Sequence, residues 1–100
     1  MEKRINVAAL INSPNATSQE DGILLFETAW AIIEAGFDVQ IDFEGVNVLI
    51  ARFLHFSVGR LRKTLGNAYT ERVSVVNFSQ PTWRELYESV IVSKRGSPRP

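Results

Sequence analysis

Cysteine is missing altogether from this chain, and histidine occurs once. The first absence removes disulfide frameworks and thiolate metal sites. The second leaves no HExxH or comparable spacing for a zinc centre, so no metal site is expected. Net charge is missing too, because eleven basic residues balance eleven acidic ones. A neutral chain exerts no long-range pull on nucleic acid or anionic membrane, and it has little electrostatic protection against self-association. Glycines at phosphate-cradling spacing are absent: Gly36, Gly45 and Gly59 are scattered, and neither a Walker nor a GxGxxG pattern occurs. None of Ser13, Ser18, Ser57 and Ser79 lies in a GxSxG elbow. The opening residues, Met1 to Asn6, are charged, and the apolar run after them is too short for a signal peptide or a membrane span. Asn15-Ala16-Thr17 matches the glycosylation triplet, a chance match without a secretion signal. The expectation is a cytoplasmic protein without cofactor or catalytic constellation, and so not an enzyme.

What is present is one domain's worth of periodic apolar sequence, with 45% hydrophobic residues in 100. Residues 5–11 are apolar and read as a buried strand, closed by the loop Asn12-Ser13-Pro14-Asn15. Thr17 and Glu20 have capping-box spacing. A helix is predicted over residues 18–35, with Ile23, Phe26, Trp30 and Ile33 on one stripe and Gly36 ending it. Residues 37–43 read as the next strand, and 46–50 as a short extended piece after the Glu44-Gly45 turn. A second helix is predicted over residues 51–65, built on Phe53, Leu54, Val58, Leu61 and Leu65. Gly59 inside it costs about 1 kcal/mol relative to alanine unless close packing needs it. Residues 72–78 alternate as a further strand. Pro81 and Thr82 open a last helix that buries Trp83, Leu86, Tyr87, Val90 and Ile91. Residues 94–100 read as a disordered basic tail. This alternation of strand and helix favours a sheet with helices packed on it and some parallel pairing.

Few residues carry chemistry. His55 reads as a partly exposed helix residue rather than a ligand. Asp42 ends a strand, where open α/β sheets place functional groups, but a carboxylate that accepts turn amides is the favoured reading. Arg60, Arg62 and Lys63 close the second helix and complement its dipole by about 0.3–1 kcal/mol. Trp30 and Trp83 lie on apolar helical faces and read as core.

The box Val39-Gln40-Ile41-Asp42-Phe43-Glu44-Gly45-Val46-Asn47-Val48, followed by Phe53 at the start of a helix, resembles the STAS-like domain family, relatives of anti-sigma-factor antagonists and of sulfate-transporter cytosolic domains. The resemblance covers residues 5–92, with the initial strand, last strand and last helix in order. It implies a single α/β domain over residues 1–93, a mixed β-sheet of about four strands with about three helices packed largely on one face. It also implies a bacterial or phage regulatory module, non-enzymatic, that binds partner proteins such as kinase-like ATPases; some relatives bind nucleotides. In antagonists the switch is a serine, preceded by aspartate, at the start of the second helix, and phosphorylation there adds about −1.5 to −2 charges. Here those positions fall on Ile50 and Ala51, and the Ser-Phe pair common in the STAS-like branch falls on Arg52-Phe53. No hydroxyl remains, so the phospho-switch is expected to be absent.

Three readings follow. The favoured one is a protein-interaction module that docks a kinase-like ATPase or transcription regulator through the edge at residues 42–54 and the loop at 12–19, with Asp42, Asn47, Ala51, Arg52 and His55 as contact residues. A second is a small-ligand or nucleotide binder using Asp42, the amides of the second helix and Arg52. A third is a homodimer formed through a sheet edge or a helix face.

Overall fold

A computed structural model of the protein describes residues 1–93. The elements are β1 (Glu2–Asn6), α1 (Val7–Ile11), β2 (Asn15–Ala16), α2 (Gln19–Glu34), β3 (Asp38–Asp42), β4 (Val48–Leu49), α3 (Ala51–Phe56), α4 (Val58–Leu65), a 3₁₀ turn (Gly66–Ala68), α5 (Tyr69–Arg72), β5 (Val73–Val76) and α6 (Pro81–Ser93). The expected tail at 94–100 lies outside the described residues.

Strands β1, β3 and β5 form one sheet in the order β1-β3-β5, and β2 pairs with β4 in a separate two-stranded clasp. Every pairing is parallel. The register aligns Ile5 with Ile41 and Ile41 with Val75, while Val39 faces Val73. Side chains alternate faces along a strand, so these residues share one side, and there they join the apolar core with α2, α3, α4 and α6. The other side carries Arg4, Gln40 and Ser74 and is polar. Parallel sheets are usually covered on both faces; this one is only three strands wide and meets solvent with hydrophilic side chains. The α/β class and the one-sided helical layer are as expected from the sequence.

Several boundaries differ from those expectations. Residues 5–11 are not one strand. The strand ends at Asn6, whose carboxamide oxygen accepts the Ala9 amide at 2.8 Å and so caps α1. At α2 the cap is Ser18 and not Thr17, because the Ser18 hydroxyl takes the Asp21 amide at 3.0 Å. The helix predicted over 51–65 breaks at Ser57, whose ψ of −90° leaves the helical region. Its buried hydroxyl donates to the Phe53 carbonyl at 2.8 Å, and its own carbonyl accepts the Leu61 amide at 3.0 Å to start α4. The strand predicted over 72–78 spans only Val73–Val76.

Helix α2 turns Gly22, Leu25, Phe26, Ala29 and Ile33 inward. Gly22 allows α3 to approach closely: a Cβ there would stand 2.7 Å from the Phe53 carbonyl oxygen. Arg72 ties the end of α2 to the sheet, donating to Asp38 at 2.7 Å and to the carbonyl oxygens of Phe37 at 2.9 Å and Ile33 at 3.3 Å. The Phe43 ring stacks on Phe78 at 4.6 Å, and Phe78 meets the ring of Tyr87 on α6 at a tilt, 5.6 Å away. The Tyr87 hydroxyl meets that of Tyr69 at 2.7 Å within the core. Both tryptophans are half-buried against the core, as expected. No helix among the described residues is long and apolar enough to cross a membrane.

Candidate functional site

The carboxyl ends of the three parallel strands bring Asn6, Asp42 and Asn77 together. Asp42 closes β3 and is 5% exposed. Its Oδ1 accepts the Glu44 amide at 3.0 Å and the Asn77 carboxamide N–H at 3.0 Å. Its Oδ2 faces the Asn6 carboxamide N–H at 3.4 Å and the Arg4 Nε at 3.4 Å. Asn6 also donates to the Glu44 carbonyl at 3.1 Å. Asn77 holds a left-handed backbone, φ 65°, which asparagine tolerates better than most residues. Burial pushes the Asp42 carboxyl up, but the Glu44 amide, the Asn77 and Asn6 carboxamides and the Arg4 charge outweigh it and hold the pKa below the ordinary aspartate value. Asp42 is therefore a turn carboxylate with its acceptor capacity in use.

That carboxylate shapes the turn after β3. The Val46 amide returns to the Phe43 carbonyl at 3.0 Å, and Gly45 takes φ 93°, which suits glycine at the third turn position. Ser79 donates to the Val46 carbonyl at 3.0 Å. The chain then pairs with the first loop: Asn47 and Val48 donate to the Pro14 carbonyl at 2.7 and 3.3 Å, and Ile50 donates to the Ala16 carbonyl at 3.2 Å. The loops after α1 and after β3 are thus clasped by β2 and β4 at the start of α3.

Along β4 the side chains alternate. Leu49 is buried, while Val48 and Ile50 on either side are each 40% exposed. Asn47, Arg52 and His55 are exposed, and Ala51 is half-buried. Four of the expected contact residues, Asn47, Ala51, Arg52 and His55, fall on the segment that leads through β4 into α3, and His55 also lines a hollow with Phe56, Gly59, Arg60, Lys63 and Thr64. Asp42 does not join them, since its partners are Asn6, Glu44, Asn77 and Arg4. The expected ligand pair of Asp42 and Arg52 is not brought together in a hydrogen bond or ion pair. Ile50 begins α3 without a side-chain cap, and the helix runs only six residues before the break. No three His, Asp or Glu side chains converge among the described residues.

The sequence reading missed Asn6, Asn77, Val48 and Ile50. Asn6 had a local signal: an asparagine directly before an apolar run is a helix cap. The exposure of Val48 and Ile50 follows from the two-residue alternation around buried Leu49, which becomes informative only once β4 is known to be a strand.

A one-sided helical layer on a small parallel sheet, with a strand, an acidic turn and a helix joined by a loop clasp, defines a STAS-like α/β domain. Residues 21–83 match the model of the family described as a STAS-like domain of unknown function (DUF4325), and the chain belongs to that family. Neither the curated proteins nor the solved structures give a match to this chain.

Proposed function

We propose that this domain is a non-catalytic regulatory module that docks a partner protein at the mouth of α3, without a phosphorylation switch. The observation that supports this reading is the pair Val48 and Ile50, each 40% exposed, on a backbone fixed by the β2–β4 clasp. Two exposed aliphatic side chains, with exposed Asn47 before them and Arg52 after them in the chain, have the make-up of a small interface, an apolar centre with polar neighbours. The ordering cost of docking is low there, because the loop at residues 12–19 is already hydrogen-bonded to the segment before α3. Asp42 serves this surface indirectly by fixing the turn that leads into it. The phosphoacceptor positions of the antagonists carry Ile50 and Ala51, so docking here is constitutive with respect to phosphate. The partner we propose is a cytoplasmic kinase-like ATPase or transcription regulator.

The test is capture of partners from source cells by the tagged domain, with and without ATP, beside a triple variant, Asn47→Ala with Arg52→Ala and His55→Ala. Binding should disappear in the triple variant while its circular dichroism stays that of the parent. A partner held equally well by the variant would place the docking surface elsewhere.

A further inference from the structure

We propose that this protein pairs with a second copy of itself through two oppositely charged helical surfaces, the outer stripe of α2 and the outer face of α4. Helix α2 contains Glu20, Asp21, Glu27 and Glu34 and no basic residue. Helices α3 and α4 contain Arg52, His55, Arg60, Arg62 and Lys63 and no acidic residue. The chain's zero net charge therefore conceals two concentrated local charges of opposite sign.

The acidic surface is continuous. With Gly22, Leu25, Phe26, Ala29 and Ile33 turned inward, the ~100° step per residue places Glu20, Leu24, Glu27, Ala31 and Glu34 on the far side. All five are exposed. Leu24, at 39% exposure, is an apolar centre flanked by glutamates a turn away in each direction. None of these three glutamates joins an ion pair among the described residues.

The basic surface is equally uncommitted. Arg62 is used locally, donating to the Gly66 carbonyl at 3.0 Å. Lys63 and Arg60 are exposed and outside every ion pair among the described residues. The Arg60 guanidinium lies over the Phe26 ring at 4.3 Å, which holds it in a fixed position beside α2. Together with His55, Phe56, Gly59 and Thr64 they line a hollow of about 340 Å³. A hollow with an aromatic wall and a cationic rim fits a leucine flanked by carboxylates, which is the chemistry that α2 presents.

The neighbourhood of the two surfaces selects the occupant. Arg60 sits on Phe26, so α4 runs beside α2, and one molecule carries both an acidic and a basic surface. With zero net charge the chain exerts no long-range pull on an extended polyanion such as nucleic acid. A second copy related by a two-fold axis instead lays each stripe on the other's basic face, forming both contacts in one closed interface. The surface adjoins the partner-docking spot at His55, but its charge resides on Arg60 and Lys63, so the two proposals fail independently.

Sedimentation velocity of the full chain tests this. The wild type should dimerise in low salt, and association should weaken roughly tenfold or more as the Debye length shrinks from about 10 Å at 0.1 M to about 3 Å at 1 M. Arg60→Glu with Lys63→Glu should be monomeric, as should Glu20→Lys with Glu27→Lys. An equimolar mixture of the two variants should form a heterodimer, because reversed charges face each other again. Lys63→Glu alone leaves Arg60 on Phe26 and should weaken the dimer with the helical circular dichroism unchanged. A wild type that stays monomeric at high concentration in low salt would overturn the proposal. So would a dimer indifferent to salt and to both reversals, or folded variants that fail to associate when mixed.

Discussion

Replacing Asp42 by asparagine keeps the shape of the side chain and removes its charge, so it isolates what the carboxylate does. An amide offers one acceptor oxygen. If that oxygen keeps the Glu44 amide and the Asn77 carboxamide, the new NH₂ group faces two donors, the Asn6 carboxamide at 3.4 Å and the Arg4 Nε at 3.4 Å. The two retained bonds change from charge-assisted to neutral. Arg4 is exposed, so its share is small. The remaining loss, from a carboxylate only 5% exposed, is about 2 kcal/mol, within the range for hydrogen bonds to a charged group. In a domain of 100 residues that lowers Tm by roughly 8–16 °C. The pH dependence has a definite sign. The folded-state pKa of Asp42 is depressed, so its contribution is complete above the unfolded value of about 3.9 and is lost as pH falls through the folded value. Wild type and variant should therefore differ most near neutrality, and the difference should begin to fall near the unfolded value of about 3.9 and vanish only below the lower folded value. Urea denaturation followed by the fluorescence of the half-buried Trp30 and Trp83 measures both. A difference below about 0.5 kcal/mol at pH 7, or one that persists undiminished into acid, would refute the account of Asp42 as the carboxylate that fixes the turn.

Two further substitutions probe the core. Gly22→Ala should cost about 1–3 kcal/mol in urea denaturation, because the added methyl meets the Phe53 carbonyl oxygen at 2.7 Å and the Phe56 Cβ at 3.1 Å; a neutral result would mean that α2 and α3 slide apart freely. Tyr87→Phe should cost about 1–3 kcal/mol by orphaning the buried Tyr69 hydroxyl, and Tyr69→Phe combined with it should recover part of that loss in a double-mutant cycle. Burial, the leading cause for each, raises both phenols above the ordinary value of about 10. As these are the chain's two tyrosines, ultraviolet titration should show no tyrosinate until alkaline unfolding, whereas a reversible transition near pH 10 would contradict a closed pair.

The parts of the fold legible in the sequence were those set by local rules. The inward stripe of α2, the inward face of α6 and the strand leading to Asp42 follow from apolar spacing alone. Residues 5–11 misled because a short apolar run fits strand and buried helix equally; the deciding interaction is the single hydrogen bond from the Ala9 amide to Asn6. The break at Ser57 was hidden because a serine suits many positions, and here its hydroxyl occupies a carbonyl of α3. The turn-carboxylate role of Asp42 was readable, but its partners were not. Asn6 and Asn77 lie 36 and 35 residues away in the chain, and parallel pairing alone brings them to one end of the sheet. Nothing local marks such a triad.

The parallel register also sets the order in which the chain can fold. Glu2 must find Asp38, and Val39 must find Val73, so no strand of the main sheet has a partner nearby in sequence. Closing such long loops is slow compared with forming a helix. On the ribosome, at ~5–20 residues per second, β1 emerges about 2–7 s before β3 exists to receive it. During that interval it is an unpaired edge. The exposed run Glu2, Lys3 and Arg4 then acts as kinetic protection, since charged side chains deter wrong pairing with other nascent strands until β3 arrives to pair with β1, and it goes on guarding β1 as an edge of the finished sheet, where β5 adds to the far side of β3.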